Sequence, residues 1–284
     1  MVQVKRKPST VIVVILVAVV ILIGVTIILI LNSHNATKKR LFEAIEKGDC
    51  NKVADILNKH PLLVNENRQY FFLIDVSGET PLLAACRYKN FEMIQLLVER
   101  GADVNKSARA VDAYPLINIL CRGGEKRYDI AWYLIANGAD LSVKQRYATV
   151  PYAIVSSAWQ KSSFDAEIQT QSLALMEFVL DEGVSLDSPE CKPYGIDSVY
   201  GLASRNNYVL IVQYFLDNEL FSINDIVDGE NRTALIVAVQ GQAYDVCEYL
   251  INSGADKTMK DVRGKSAYDY AKELNDEKLL DLLE

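Results

Sequence analysis

Apolar residues are distributed along this chain in two distinct ways. Residues 11–31 form one run of 21 with no charge, interrupted only by Gly24 and Thr26. At ~1.5 Å per residue a helix of that length matches the ~30 Å hydrocarbon core of a bilayer. Beyond residue 37 the apolar positions come in short paired runs at helical spacing, separated by turn residues. The clearest pair is Pro81-Leu82-Leu83-Ala84-Ala85-Cys86 and then Met93, Ile94, Leu96, Leu97 and Val98. Thr80 can N-cap the first helix of that pair, and Pro81 fits a first turn, where no backbone N–H is needed. Gly101 offers the second helix a left-handed stop. The pattern predicts a helix, a tight turn and a second helix, with Ala84 and Ala85 small enough to admit a close neighbour.

The pair recurs. Gly-Ala-Asp appears at Gly101, Gly138 and Gly254, with a weaker form at Gly183. The proline slot recurs at Pro115 and Pro151 and as Ala234 and Ala267, with Val199 aligned to it through a degenerate unit. The Pro81-to-Pro115 step is 34 residues and the Ala234-to-Ala267 step is 33. This spacing, with Thr80-Pro81-Leu82 and Gly101-Ala102-Asp103-Val104-Asn105, resembles the ankyrin repeat, whose Thr-Pro-Leu-His motif is matched except that Leu83 stands in the His position. The resemblance implies an all-α ankyrin-repeat solenoid of about seven helix-turn-helix units. The outer two are caps: one around Leu41–Leu57, the other ending with Leu279, Leu280, Leu282 and Leu283.

The organisation expected is a basic tail (1–10), a transmembrane helix (11–31), a short polar stalk (32–37) and the repeat domain (38–284). A cleaved signal peptide is the rival for the first part. Its apolar core should be ~7–15 residues with a small-x-small exit, and His34-Asn35-Ala36 is a poor one. Gly24 belongs to no small-xxx-small pair, so helix dimerisation is not signalled and a monomer is expected. Lys5, Arg6 and Lys7 on one side nearly balance Lys38, Lys39 and Arg40 on the other. The acid-free tail favours N-inside, with the repeats on the non-cytoplasmic side. Five cysteines without paired spacing argue the other way, because free thiols are commoner where the compartment is reducing. Three Asn-x-Ser/Thr triplets, at Asn35, Asn105 and Asn231, are near the chance number.

Two units are stretched. The third carries Gly123-Gly124-Glu125-Lys126-Arg127, and the fourth carries extra residues from Trp159 to about Gln171. Insertions of this kind fall in loops and sometimes mark a binding face. A long finger between Val64 and Gly78 holds Arg68, Tyr70, Phe71 and Phe72.

Chemistry is hard to find. The two histidines, His34 and His60, lack a plausible partner constellation, and no metal-ligand spacing or phosphate cradle is present. No enzyme activity, cofactor or metal is expected. A formal net charge of −7 disfavours nucleic acid. The family resemblance implies protein binding through the concave face, formed by the first helix of each pair and the finger tips. The candidates carried over are Arg87, Tyr88, Arg122, Arg205 and Asn206 on helices and Arg109, Arg146, Tyr147 and Arg232 on fingers. Tyr70, Phe71 and Trp159 are aromatic anchors of the same kind. Arg87, Arg122 and Arg205 would form a basic ridge suited to an acidic partner segment. The function expected is a membrane-tethered scaffold for protein–protein interaction. The alternative is a membrane-held regulator or inhibitor of a neighbouring enzyme or toxin.

Overall fold

The computed structural model describes residues 10–68, 78–108, 113–122, 124, 126–145, 148–156, 166–186 and 198–284. The described residues are all-helical. α1 (Thr10–Glu46) and α2 (Cys50–Lys59) are followed by a 3-10 turn (Pro61–Asn65). Then come α3 (Pro81–Tyr88), α4 (Phe91–Glu99), α5 (Pro115–Arg122), α6 (Arg127–Ala136), α7 (Val150–Val155) and α8 (Ala166–Asp181). The series ends with α9 (Val199–Arg205), α10 (Val209–Asp217), α11 (Ala234–Gly241), α12 (Tyr244–Asn252), α13 (Ala267–Leu274) and α14 (Glu277–Leu283). Paired in order, with the end of α1 joining α2, they make seven helix-turn-helix units.

Five of the seven first helices start the same way. The hydroxyls of Thr80, Thr149, Ser198, Thr233 and Ser266 accept a bond from the backbone N–H three residues on, at 3.1–3.3 Å. Asp49, Asn90 and Asp276 cap second helices in the same geometry. With starts fixed, the apolar stripes of successive first helices meet. α11 is enclosed almost all round, with Leu235, Ile236, Val237, Ala238 and Val239 at 0–1% exposure. Each of the four larger side chains contributes about 1.5–3 kcal/mol by leaving water. The second helices share aromatic contacts, Phe91 with Tyr133 and Trp132 with Phe178, both edge-to-face.

Successive turns are stapled by asparagines. Asn65 Nδ2 donates to the Gly101 carbonyl and its Oδ1 accepts from Asp103 N–H, each at 2.8 Å. Asn105 repeats both bonds to Gly138 and Asp140 at 2.8 Å, and Asn224 accepts from Asp256 N–H. This explains why the repeat ends in Asp-Val-Asn: the asparagine reaches the next unit's Gly-Ala-Asp. In the third unit that position is Ser142 and the following turn is Gly183-Val184-Ser185, so no asparagine stands there to make the staple. The fourth unit is held differently. Arg127 is 93% buried and donates to the Tyr128 and Tyr208 hydroxyls at 2.7 and 2.9 Å, linking the third unit to the fifth. Gln169 bonds the Asn207 carbonyl and Leu210 N–H, and Asn206 Nδ2 bonds the Val155 carbonyl.

Three expectations about irregular segments change. Residues 166–171 of the fourth-unit insertion are helical, and make α8 16 residues long where the other second helices have 7–10. Arg127, at the end of the third-unit stretch, is a core residue rather than a loop one. Residues 32–37 are not a separate linker: α1 runs without a break from the apolar stretch into the first unit. Along it, exposure switches abruptly. The large apolar residues described between 15 and 31 keep 46–67% of their surface exposed, whereas Leu41, Phe42, Ala44 and Ile45 are buried.

Two tests follow from the packing. At Gly241 an added Cβ would lie 2.0 Å from the Arg205 carbonyl oxygen, which is backbone and cannot yield cheaply. Gly241→Ala should therefore cost about 1–3 kcal/mol in denaturant unfolding. Wild-type stability in that variant would contradict the close approach. The second test is acidification. Bonds from the Tyr244 hydroxyl and the Leu279 and Lys278 amides outweigh burial and hold the Asp276 carboxyl below its ordinary value of 3.8. Asp261, despite desolvation, is lowered by Tyr270 and by the Lys265 and Arg263 amides. A folded-state pKa below the unfolded one stabilises above the unfolded value and stops doing so as pH falls through the folded one. The last two units should thus lose stability below the ordinary carboxylate range, read as amide exchange rising there first.

Candidate protein-binding cleft

Among the described residues three fingers are each pinched by one antiparallel bridge: Ala108 with Ala113, Gln145 with Ala148, and Ile226 with Thr233. The first two bridges bring their fingers over the first helices α3 and α5. The cleft between them, about 330 Å³, is lined by Leu83, Ala108, Ala113, Ile117 and Ala148 and by the polar side chains of Glu79, Arg87, Asn118, Cys121, Arg122 and Gln145. Leu83, Ala108 and Ala113 pack together as a small apolar cluster separate from the main core. The volume is at the small end of the ~300–1,000 Å³ typical of ligand clefts. The lining is mixed rather than greasy, which suits a peptide segment better than an apolar small molecule.

Of the expected basic ridge, Arg87 and Arg122 reach this cleft and Arg205 does not line it. Arg87 Nη2 lies 2.6 Å from Oε1 of Glu79, a carboxylate whose side chain is only 6% exposed. Glu79 also faces Arg68 at 3.9 Å, and Arg68 bonds Glu46 and covers the Phe42 ring. Arg68 thus folds back on the first unit, sealing its groove. Arg122 is exposed and forms no ion pair with a described residue. Tyr88 is 47% exposed.

Other expected residues turn inward. The amide of Asn206 bridges to the fourth unit, as above. Arg232 bonds Asp228 through Nε and Gln240 through Nη1 at 3.0 Å, with its side chain 13% exposed. Arg205 is half-buried against Gly241. Arg109, Arg146, Tyr147, Tyr70, Phe71 and Trp159 lie outside the described residues.

The structure adds residues that motif reasoning passed over. Glu79 precedes the Thr-Pro start and anchors Arg87. Asn118 occupies the third position after the proline slot, where the other units with that slot have Ala84, Ile154, Leu202, Val237 and Tyr270. That lone polar residue in an apolar register was a readable signal. Asn118 Oδ1 and Gln145 Oε1 are buried without a hydrogen-bond donor. Among the described residues no group of three His, Cys, Asp or Glu side chains converges on a metal position.

A second feature flanks the first unit. Glu66 Oε2 accepts from Lys38 Nζ at 2.9 Å and lies 2.8 Å from His34 Nε2, both on α1. Desolvation acts against the Glu66 charge, but the Lys38 and His34 bonds outweigh it and lower its pKa. The polar stretch of α1 is therefore strapped to the end of the 3-10 turn.

The family model for ankyrin repeats (three copies) matches residues 41–145 and 166–261. The break between the two blocks falls at the fourth-unit irregularity. Rat Ankyrin repeat and SAM domain-containing protein 6 is 28% identical over 115 residues, which is 40% of this chain and 12% of that protein. A putative ankyrin repeat protein of Acanthamoeba polyphaga mimivirus is 26% identical over 227 residues, 74% of this chain and 29% of that protein. This chain therefore spans only a minor part of the length of those relatives. The crystal structure of the human ASB11 ankyrin repeat domain superposes with a TM-score of 0.58 at 22% identity, covering 86% of this chain and 97% of that one. At such identity the likeness speaks for the fold alone.

Removing the guanidinium that faces Glu79 leaves a buried carboxylate short of a partner, a loss on the order of 1–3 kcal/mol. Arg87→Ala should lower the unfolding free energy by about that much, and adding Glu79→Gln should recover most of it. If Arg87→Ala is neutral in urea unfolding, the pair is not needed to hold the finger.

Proposed function

The chain belongs to the ankyrin-repeat family of protein–protein interaction scaffolds, and we propose that it presents this scaffold at a membrane, anchored as a single copy by residues 11–31. The partner-facing surface is the side made by first helices and fingers, with Arg87, Tyr88 and Arg122 as the described residues best placed to take part.

The observation that carries this reading is the continuity of α1. One helix of 37 residues carries an apolar stretch whose large side chains described between 15 and 31 are exposed, and it ends as the first helix of the solenoid. An apolar rod of 21 residues standing in water would forfeit the burial that drives folding, and lipid removes that cost. A cleaved leader is a poor fit to the same feature. His34, in the best small-residue exit, is strapped to the first unit through Glu66, so cleavage there would cut into the helix that this bond holds. The polar segment adds no flexible spacer, so the cleft is held at a set angle and distance from the bilayer rather than swept through a volume. The acid-free N-terminal tail supports a topology with the tail inside and the repeats on the non-cytoplasmic face.

The expected outcome is that the chain stays with membranes through alkaline carbonate extraction and that deletion of residues 11–31 releases it. Protease added to sealed cells or right-side-out vesicles should digest the repeats but leave a protected N-terminal fragment. A chain that is extracted intact, or whose mature N-terminus starts beyond residue 31, would contradict the anchor. Repeats accessible only after permeabilisation would reverse the orientation and leave the anchor standing.

A further inference from the structure

Leu62 is the most exposed large apolar side chain among the described residues, at 82%, beyond even the 46–67% of the apolar stretch of α1. A lone exposed leucine calls for no explanation in itself, but the position of this one does. It sits in the 3-10 turn after α2, where Leu63 and Val64 turn into the core while Pro61 and Leu62 face out.

Two independent constraints set the height of that turn above the end of the apolar run. The first is the strap. His34 and Lys38 stand three and seven residues beyond Leu31, so at ~1.5 Å per residue they lie ~4.5 and ~10.5 Å past it. Helix side chains lean toward the N-terminus, so the Glu66 carboxylate that both hold, at 2.8 and 2.9 Å, lies within that range or below it. The second is the path of the chain. From Leu31 to Glu46, α1 rises ~22 Å, and α2, after the tight turn in which Asp49 N–H bonds the Ala44 carbonyl, runs back ~15 Å along it. The turn that follows therefore returns to ~7 Å above the run. The polar layer of a bilayer is ~5–8 Å deep on each side of the hydrocarbon.

The residues around Leu62 suit that layer. Residues 56–65 hold no acid, and Lys59 and His60, just before the turn, are both exposed. Lysine and histidine pair an apolar body with a polar tip, which lets them stand where hydrocarbon meets headgroup. Resting on the anchor reading above, we infer that Pro61 and Leu62 make a second lipid contact, with Leu62 entering the polar layer of the bilayer that α1 crosses. A single spanning rod can lean in any direction. A second contact on one side of it selects the direction, so the first unit leans toward the face that carries Leu62. A second copy of the chain fits this turn less well, because one leucine and one proline beside Asn58, Lys59 and His60 offer little apolar area to a protein surface.

The discriminating experiment puts photoreactive benzoylphenylalanine in place of Ile28, Leu62 or Leu274, one at a time, in the full chain held in phosphatidylcholine nanodiscs, and detects adducts by mass spectrometry. Leu274, 41% exposed at the C-terminal end of α13, is the water-facing reference. All three side chains are exposed, so the substituted chains should match the wild type by circular dichroism. Ile28 should form lipid adducts, and Leu62 should form them at about ten times the Leu274 yield or more. Lipid adducts at Ile28 with a Leu62 yield no higher than that of Leu274 overturn the second contact and leave the anchor standing. No lipid adducts at Ile28 overturn the anchor, and the contact with it. Adducts at Leu62 with twice the mass of the chain put a second copy on the turn in place of lipid, and overturn the proposal.

Discussion

No unit of this molecule can bury its own apolar face, and everything else follows from that. A pair of short helices, most of them 6–10 residues long, presents one oily side and needs a neighbour on it. α11 shows the outcome at the centre of a run, where five consecutive aliphatic or alanine residues are all out of water. The outer units meet the same constraint with charge. The first has Glu43, Glu46 and Lys47 beside Leu41, Phe42, Ala44 and Ile45, and the last sets Glu277, Lys278 and Asp281 beside Leu279 and Leu283. Because stability lies in interfaces, a defect in one propagates to its neighbours only. The missing asparagine staple after the third unit is therefore tolerable, with Arg127, Gln169 and Asn206 bridging the gap by side-chain bonds instead.

The same logic decides which polar residues are available to a partner. A side chain near a weak interface is drawn into it. Asn206 and Arg232 look like surface residues by register, yet each completes a bond that backbone or a buried acid requires. Arg122 stands over a well-packed part of the array and no such bond claims it. The cleft beneath it exists because the finger bridges at Ala108 and Gln145 hold backbone away from α3 and α5. Function is thus left to the positions that stability does not use.

Much of this was legible in the residues. Thr80-Pro81, the Gly-Ala-Asp turns and the 33–34-residue steps specify the number of units and the helix starts, since capping chemistry and period are local. Cys86 and Cys247 fall in the core as their helical positions require. What stayed hidden depends on which neighbour a side chain finds. The strap from Glu66 to His34 and Lys38 joins residues 28–32 apart, and nothing in either stretch announces the other. Polar residues 32–37 read as a stalk because composition does not reveal that a helix already nucleated in the apolar stretch continues through them. The insertion at 166–171 read as loop, yet it extends a helix because Gln169 has a backbone edge to bond. Asn118 was the opposite case: its signal was plain once the units were aligned by register, and motif matching alone did not weigh it.

Everything above depends on a solenoid that is one body with the apolar helix proposed as its anchor. The most direct measurement is an electron-spin distance between nitroxide side chains at Ile28, in the apolar part of α1, and Asp55, on the exposed face of α2, with the full chain in lipid nanodiscs. A single narrow distance distribution is the result this account predicts. A broad distribution would mean that the chain bends between bilayer and repeats, and the fixed presentation of the cleft would be wrong.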